Sequence, residues 1–209
     1  GVKEDELLDA EAISNYLSMV APVDYPTRFA QFGHKIKRYM SENGLSLDTY
    51  NLFVNGDQIY KGYTTRIIDK QGDYDIKDIQ FFDQRDAEGN IIYWGWYSIS
   101  EMKGQINAVN IPYGMRLRCK NIQIGDENTC KKFFRTDGDK RFAQYFYGEI
   151  NVVAPYLQPD GRRDYFRPGK ERIEFEKSLT AHFAMLKELC YEASTLRGAA
   201  KKVSTAVNG

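Results

Sequence analysis

Residues 145–166 set the strongest constraint on how this chain can fold. The first half, Tyr145-Phe-Tyr-Gly-Glu-Ile-Asn-Val-Val153, puts Phe146, Ile150 and Val152 on one face with Gly148 between them, which is the pattern of a buried strand. The second half cannot continue any ladder. Pro155, Pro159 and Gly161 break regular structure there, and the loop they form delivers two adjacent arginines, Arg162 and Arg163, to the mouth of a long helix expected from about Pro168. The rest of the chain must therefore build a sheet around one strand and leave room for a stiff loop that carries paired guanidinium groups.

Upstream, two helices are expected. Asp9 or Asp5 can cap the first, with Ile13, Tyr16, Leu17 and Val20 at helical spacing and Ala21-Pro22 as its stop; the second fits residues 27–43, with Gly44 ending it. From Thr49 the period changes to two. Asn55-Gly56 between apolar runs predicts a type I′ hairpin, and a longer hairpin joins residues 76–85 to residues 91–100. The first hairpin is expected to extend the same sheet as the second. Ile91-Ile-Tyr-Trp-Gly-Trp-Tyr97 is aromatic on both faces, as a central strand would be. In residues 115–124, Met115, Leu117 and Cys119 alternate with Arg116, Arg118 and Lys120 before the phase switches to Ile122 and Ile124, which predicts a bulge at Lys120 or Asn121. Asp126 is expected to cap a helix carrying Cys130, Phe133 and Phe134, and residues 139–143 a shorter piece. A last amphipathic helix, residues 170–195, carries Ile173, Phe175, Leu179, Phe183, Leu186, Leu189 and Cys190, followed by a flexible tail.

Composition excludes some classes. Lys plus Arg and Asp plus Glu number 29 each, so no global field draws the chain to nucleic acid or an anionic membrane. No apolar run reaches the length of a membrane span. The opening Gly1-Val-Lys-Glu-Asp-Glu6 lacks the apolar core of a signal peptide and reads as a cut within a longer chain. Three widely spaced cysteines, Cys119, Cys130 and Cys190, form no chelating or redox pair, which fits a reducing, cytoplasmic setting.

Three segments in order carry a family resemblance: Gly114-Met-Arg-Leu-Arg-Cys-Lys-Asn-Ile-Gln-Ile-Gly-Asp126, then Phe146-Tyr-Gly-Glu-Ile-Asn-Val-Val153, then Asp160-Gly-Arg-Arg-Asp-Tyr-Phe166. Their order and spacing, over roughly residues 12–189, resemble the middle (transducer) segment of heat-shock-protein-90-like ATPases of the GHKL class. The resemblance implies an α+β fold like the second domain of ribosomal protein S-five, two-layered, with a helical lead-in and an extra hairpin. It divides the chain into residues 1–46 as the lead-in, 47–168 as the sheet domain, and 169–209 as the long helix and tail. It also implies molecular-chaperone function: the segment couples ATP hydrolysis in a neighbouring N-terminal domain of the same chain to movement. Arg163 and Arg162 are then the candidates for contact with the γ-phosphate, where a fixed cation stabilises charge developing in phosphoryl transfer. The competing account pairs one arginine with Asp160 or Asp164 and leaves the other solvated.

This chain carries no Asp-x-Gly-x-Gly turn, glycine-rich lid or phosphate loop, so no cofactor is expected in the segment itself, ATP and magnesium belonging to the adjacent domain. Trp94, Trp96 and Tyr97 are either a surface for client or partner proteins or plain sheet core. Arg116, Arg118 and Lys120, with Lys131, Lys132 and Arg135 on the following element, are either a local basic patch for nucleic acid, as in repair or topoisomerase members of the superfamily, or a solvated face. His34 and His182 read as structural rather than as metal ligands, and Glu149 as a sheet-edge salt bridge. A stand-alone protein-interaction domain with no ATPase attached is the third reading.

Overall fold

The computed structural model describes residues 9–100 and 104–207, with side chains through residue 200. The alternative cap Asp5 and the opening residues lie outside that range. Helix α1, Ala10–Val20, starts where Asp9 accepts hydrogen bonds from the Glu11 and Ala12 amides, both at 3.0 Å, and stops at Ala21, held extended by Pro22. A 3-10 turn, Thr27–Phe29, leads into α2, Ala30–Glu42, which buries Phe32 and Ile36 and ends before Gly44 at φ +64°.

The strands β1 (Leu52–Val54) and β2 (Asp57–Ile59) form the expected hairpin, with Asn55 and Gly56 both at positive φ. This hairpin does not extend the main sheet, contrary to expectation; it is a separate two-stranded ladder. Its exit is tied elsewhere, because the Lys61 amide bonds Asp24 O and the Gly62 amide bonds Ser18 O. A second small ladder, β3 (Arg66–Ile67) with β4 (Tyr74–Asp75), had no clear signal in sequence.

The main sheet contains β5 (Asp78–Arg85), β6 (Ile91–Ile99), β7 (Gly114–Cys119), β8 (Ile122–Ile124) and β9 (Tyr147–Val152), in the order β5-β6-β9-β7-β8. Only β7 and β9 run parallel; the other pairs are antiparallel. The middle strand β9 is buried along its whole length. It approaches β6 so closely that a Cβ on Gly148 would lie 2.0 Å from Trp96 O.

Two elements differ from expectation. The phase change after Cys119 is a two-residue hairpin turn and not a bulge: Lys120 and Asn121 have φ 52° and 59°, the type I′ pattern, and the chain reverses into β8. The helix expected after Asp126 is reduced to one 3-10 segment, Thr129–Phe133, because Thr136-Asp137-Gly138 interrupts the run after barely one turn, and the shorter piece expected at residues 139–143 is a second 3-10 segment, Asp139–Gln144. The last helix, α3, Lys170–Val207, runs past the expected stop near Thr195, since Ala199, Ala200, Lys201 and Lys202 favour helix and outweigh the single Gly198 before them. Ile173, assigned to its buried face, is exposed.

The architecture is α+β. One face of the sheet packs on α3 through Leu117, Ile124, Ile150, Phe175, Leu179 and Phe183. On the other face Trp94, Trp96 and Tyr147 pack against Phe29, Phe32 and Ile36 of the lead-in, which therefore covers the second side of the sheet. Among the described residues no helix is long and apolar enough to cross a membrane.

Candidate functional site

Two features stand at the β7-β8 end of the sheet. The first is the arginine loop. The residues around it close on themselves through a bridge between Pro159 and Phe166, and the Asp160 carboxylate accepts the Arg162 and Asp164 amides, each at 3.1 Å. That turn holds Arg163 in the left-handed region at φ 59°, and Arg163 O accepts the Gly125 amide at 2.8 Å, fastening the loop to the end of β8. Gly125, at φ +65°, has no room for a side chain, because a Cβ would meet Thr129 Oγ1 at 2.1 Å and Asp164 O at 3.0 Å.

The two arginines face different surroundings. Arg162 is exposed, and its guanidinium has no ion-pair partner among the described residues. Arg163 is half-buried and folds back so that Nη2 donates to Cys119 O at 3.3 Å. Among the described residues neither pairs with Asp164 or with Asp160, whose carboxylate takes the two backbone amides. Both line an open cleft of about 820 Å³ whose far wall is α1 and whose floor carries Arg116, Gln123 and Glu127. Arg116 is committed within that floor, to Glu127 Oε2 at 3.2 Å and Gln123 Oε1 at 3.4 Å.

The second feature is a buried charge cluster that sequence reading missed. Glu149 was expected at a sheet edge; it sits at the centre of β9, 0% exposed. Its Oε1 lies 2.7 Å from Arg118 Nε and 2.8 Å from Lys61 Nζ, and its Oε2 accepts from Lys61 Nζ at 2.9 Å and the Tyr25 hydroxyl at 2.7 Å. Arg118 Nη1 donates to Asn121 O at 2.9 Å and Nη2 to Met19 O, the penultimate carbonyl of α1, at 2.6 Å. Lys61 Nζ also stands 4.6 Å above the Tyr25 ring. Burial by itself pushes the Glu149 carboxyl up, but Arg118 and Lys61 overcome this and hold it at about 2. Burial, then the Arg118 charge, lowers Lys61 to about 7 despite Glu149. One carboxylate thus faces two cations, and Arg118, which cannot deprotonate, takes the permanent share.

This cluster corrects three assignments. Arg116 and Arg118 are 4% and 0% exposed, so they and the exposed Lys120 make no surface patch; the inward side of β7 is simply where the carboxylate lies. Trp94 and Trp96 are 1% and 0% exposed and belong to the core shared with α2, while Tyr97 packs half-buried on the α3 side, so none of the three forms a client surface on the folded chain. The available signal was Glu149 itself: a charge within a strand buried along its whole length requires a buried partner.

His34 is exposed on α2; His182 on α3 stacks on Phe82 with ring centroids 3.8 Å apart, and burial lowers it to about 4. Among the described residues no group of three or more His, Cys, Asp or Glu side chains is placed to hold a metal ion. All three cysteines are free thiols.

Comparison of the chain with protein-family models found no match, and neither did comparison with curated proteins.

Proposed function

We propose that this chain is the transducer segment of a heat-shock-protein-90-like ATPase, presenting Arg162 and Arg163 to the γ-phosphate of ATP held with magnesium by a neighbouring domain. The observation that carries the reading is the position of the two arginines: a backbone-locked loop sets them on the rim of an open cleft, with Arg162 in no ion pair among the described residues. Because the loop backbone that carries the two cations is held, they need less reorganisation as charge develops on the transferred phosphoryl group, which is the condition under which a cation lowers a barrier. The same loop is tied to the ends of β7 and β8 through Cys119 O and Gly125 N. One strand face further in, Arg118 ties β7 and β9 to α1. Displacement of the loop by a bound phosphate would therefore be transmitted to the sheet and the lead-in helix, as coupling requires.

The test uses the longer ATPase. Arg162→Ala and Arg163→Ala are each made, and turnover and ATP affinity are measured separately. A phosphate-contacting arginine is worth on the order of a thousandfold in rate, so at least one variant should lose most of its turnover while binding ATP normally. Unchanged turnover in both variants would return the loop to a packing role. The segment alone should show no stoichiometric heat of binding with millimolar ATP and magnesium.

A further inference from the structure

We infer that the helical lead-in is a pH-sensitive clasp: α1, α2 and the β1-β2 hairpin part from the sheet as a unit while the sheet stays folded on α3, and loss of the Lys61 proton holds them shut. The device is independent of the arginine cleft and of the transducer reading.

The sheet has a separate core on each face. On the α3 side, Leu117, Ile150, Phe175, Leu179 and Phe183 pack without any residue of the lead-in, so the strands and α3 keep a complete two-layer core when the lead-in leaves. On the other side Phe29, Phe32 and Ile36 sit on Trp94, Trp96 and Tyr147. The buried polar contacts that fasten this second layer meet at Glu149. The Tyr25 hydroxyl donates to Glu149 Oε2 at 2.7 Å and accepts from Trp96 Nε1 at 3.2 Å, Lys61 Nζ donates to Glu149 Oε1 at 2.8 Å, and Arg118, 2.7 Å from the same carboxylate, donates to Met19 O at 2.6 Å. The Lys61 amide closes the set on Asp24 O at 2.9 Å. A cavity of about 400 Å³, lined in part by Lys61, Asp24, Tyr25 and Lys37, borders this node, so packing there is incomplete.

The node holds one positive charge too many. Arg118 from β7 and Lys61 from the hairpin exit both contact the single carboxylate of Glu149 on β9, and all three side chains are buried. Of the other groups facing Lys61, Asp24 already carries Lys37 of α2 at 2.8 Å, and the Tyr25 and Tyr63 hydroxyls are kept neutral chiefly by burial. A buried surplus charge is relieved either by losing a proton or by opening the structure to water. Arg118 does not deprotonate, so the proton leaves Lys61, which burial and then the Arg118 charge lower to about 7. Once the clasp opens, Lys61 returns to its ordinary 10.5. The open form therefore binds more protons than the shut one above about pH 7, and opening becomes rarer as pH rises.

The test is native-state hydrogen exchange of the isotopically labelled chain between about pH 6 and 9. The reporters are the amides of residues 61 and 62, bonded to Asp24 O and Ser18 O; the references are those of Ile150 and Asn151 in β9, which is paired on both sides. After correction for intrinsic rates, the reporters should be at least about tenfold less protected than the references, the mark of a separate opening. Their protection should change less than about threefold from pH 6 to 7 and rise roughly fiftyfold from pH 7 to 9, the factor for a lysine at about 7 when shut and 10.5 when open. Cys130 and Cys190 lie on the α3 side and stay covered, so their thiols do not oppose that rise. In Lys61→Met the same two amides should lose the pH dependence. Where that variant does not fold, the Lys61 side-chain carbon shift replaces it: titration near 7 supports the inference and titration near 10.5 overturns it. The inference is also overturned if reporters and references share one protection, if the reporters stay flat from pH 7 to 9, or if their rise survives in Lys61→Met.

Discussion

Replacing Glu149 by Gln keeps the shape of the side chain and removes the charge that two buried cations share. Arg118, 0% exposed, would then face an amide, with Nε 2.7 Å from an atom that no longer carries charge, and it cannot shed its proton. Lys61 has an exit: already lowered to about 7, it would simply become neutral. Stranding one partner of a buried pair costs about 3–5 kcal/mol, and one such cation is stranded here. A chain of 209 residues loses roughly 2–4 °C of Tm per kcal/mol, so Glu149→Gln should melt about 6–20 °C below the parent at neutral pH. Lys61→Met separates this account from a general packing effect. Methionine keeps a long apolar stem on the Tyr25 ring and leaves Arg118 and Glu149 as a balanced pair, so its loss should stay below about 2 kcal/mol. Thermal melts followed by circular dichroism, with urea midpoints as a second measure, decide the matter. Equal losses in the two variants, or a fall under about 3 °C for Glu149→Gln, would refute the assignment of the permanent ion pair to Arg118 and Glu149.

The pH dependence of stability follows from the same cluster. Because Lys61 titrates at about 7 folded against its ordinary 10.5, the unfolded lysine binds more protons than the folded one above about pH 7, and stability should begin to rise with pH there. Cys130 and Cys190, pushed up to about 12 chiefly by burial, act oppositely once unfolded thiols ionise near 9, and Tyr25 and Tyr63, pushed well up chiefly by burial, once unfolded tyrosine ionises near 10, so the rise should stop near pH 9; urea midpoints should show it in the parent and lose it in Lys61→Met. Gly148→Ala puts a Cβ 2.0 Å from Trp96 O and 2.9 Å from Tyr97 Cα, backbone atoms that cannot move without parting β6 from β9. It should cost at least about 3 kcal/mol or prevent folding, and a melt within a few degrees of the parent would show that the two strands can separate.

Features set by neighbouring residues were legible in the sequence. Asp9 as a cap, Asn55-Gly56 as a tight hairpin and the alternation of Phe146, Ile150 and Val152 each express a local steric or hydrogen-bonding preference, and each appears where those preferences place it. The candidate arginines were equally visible, since prolines and a glycine announce a loop. The turn at Lys120 and Asn121 was misread because neither residue is glycine; only the pairing of Leu117 with Ile124 shows that the chain reverses there. Glu149, Lys61 and Arg118 are separated by 88 and 31 positions from one to the next in space, and no local rule joins them. Their meeting is a product of strand order: β9 is inserted beside β7, which sets Glu149 opposite Arg116 and next to Arg118, and the exit of the first hairpin lays Lys61 on top. Burial then converts three ordinary surface-type residues into a single electrostatic unit, because in low dielectric a charge must find its partner whatever the sequence distance.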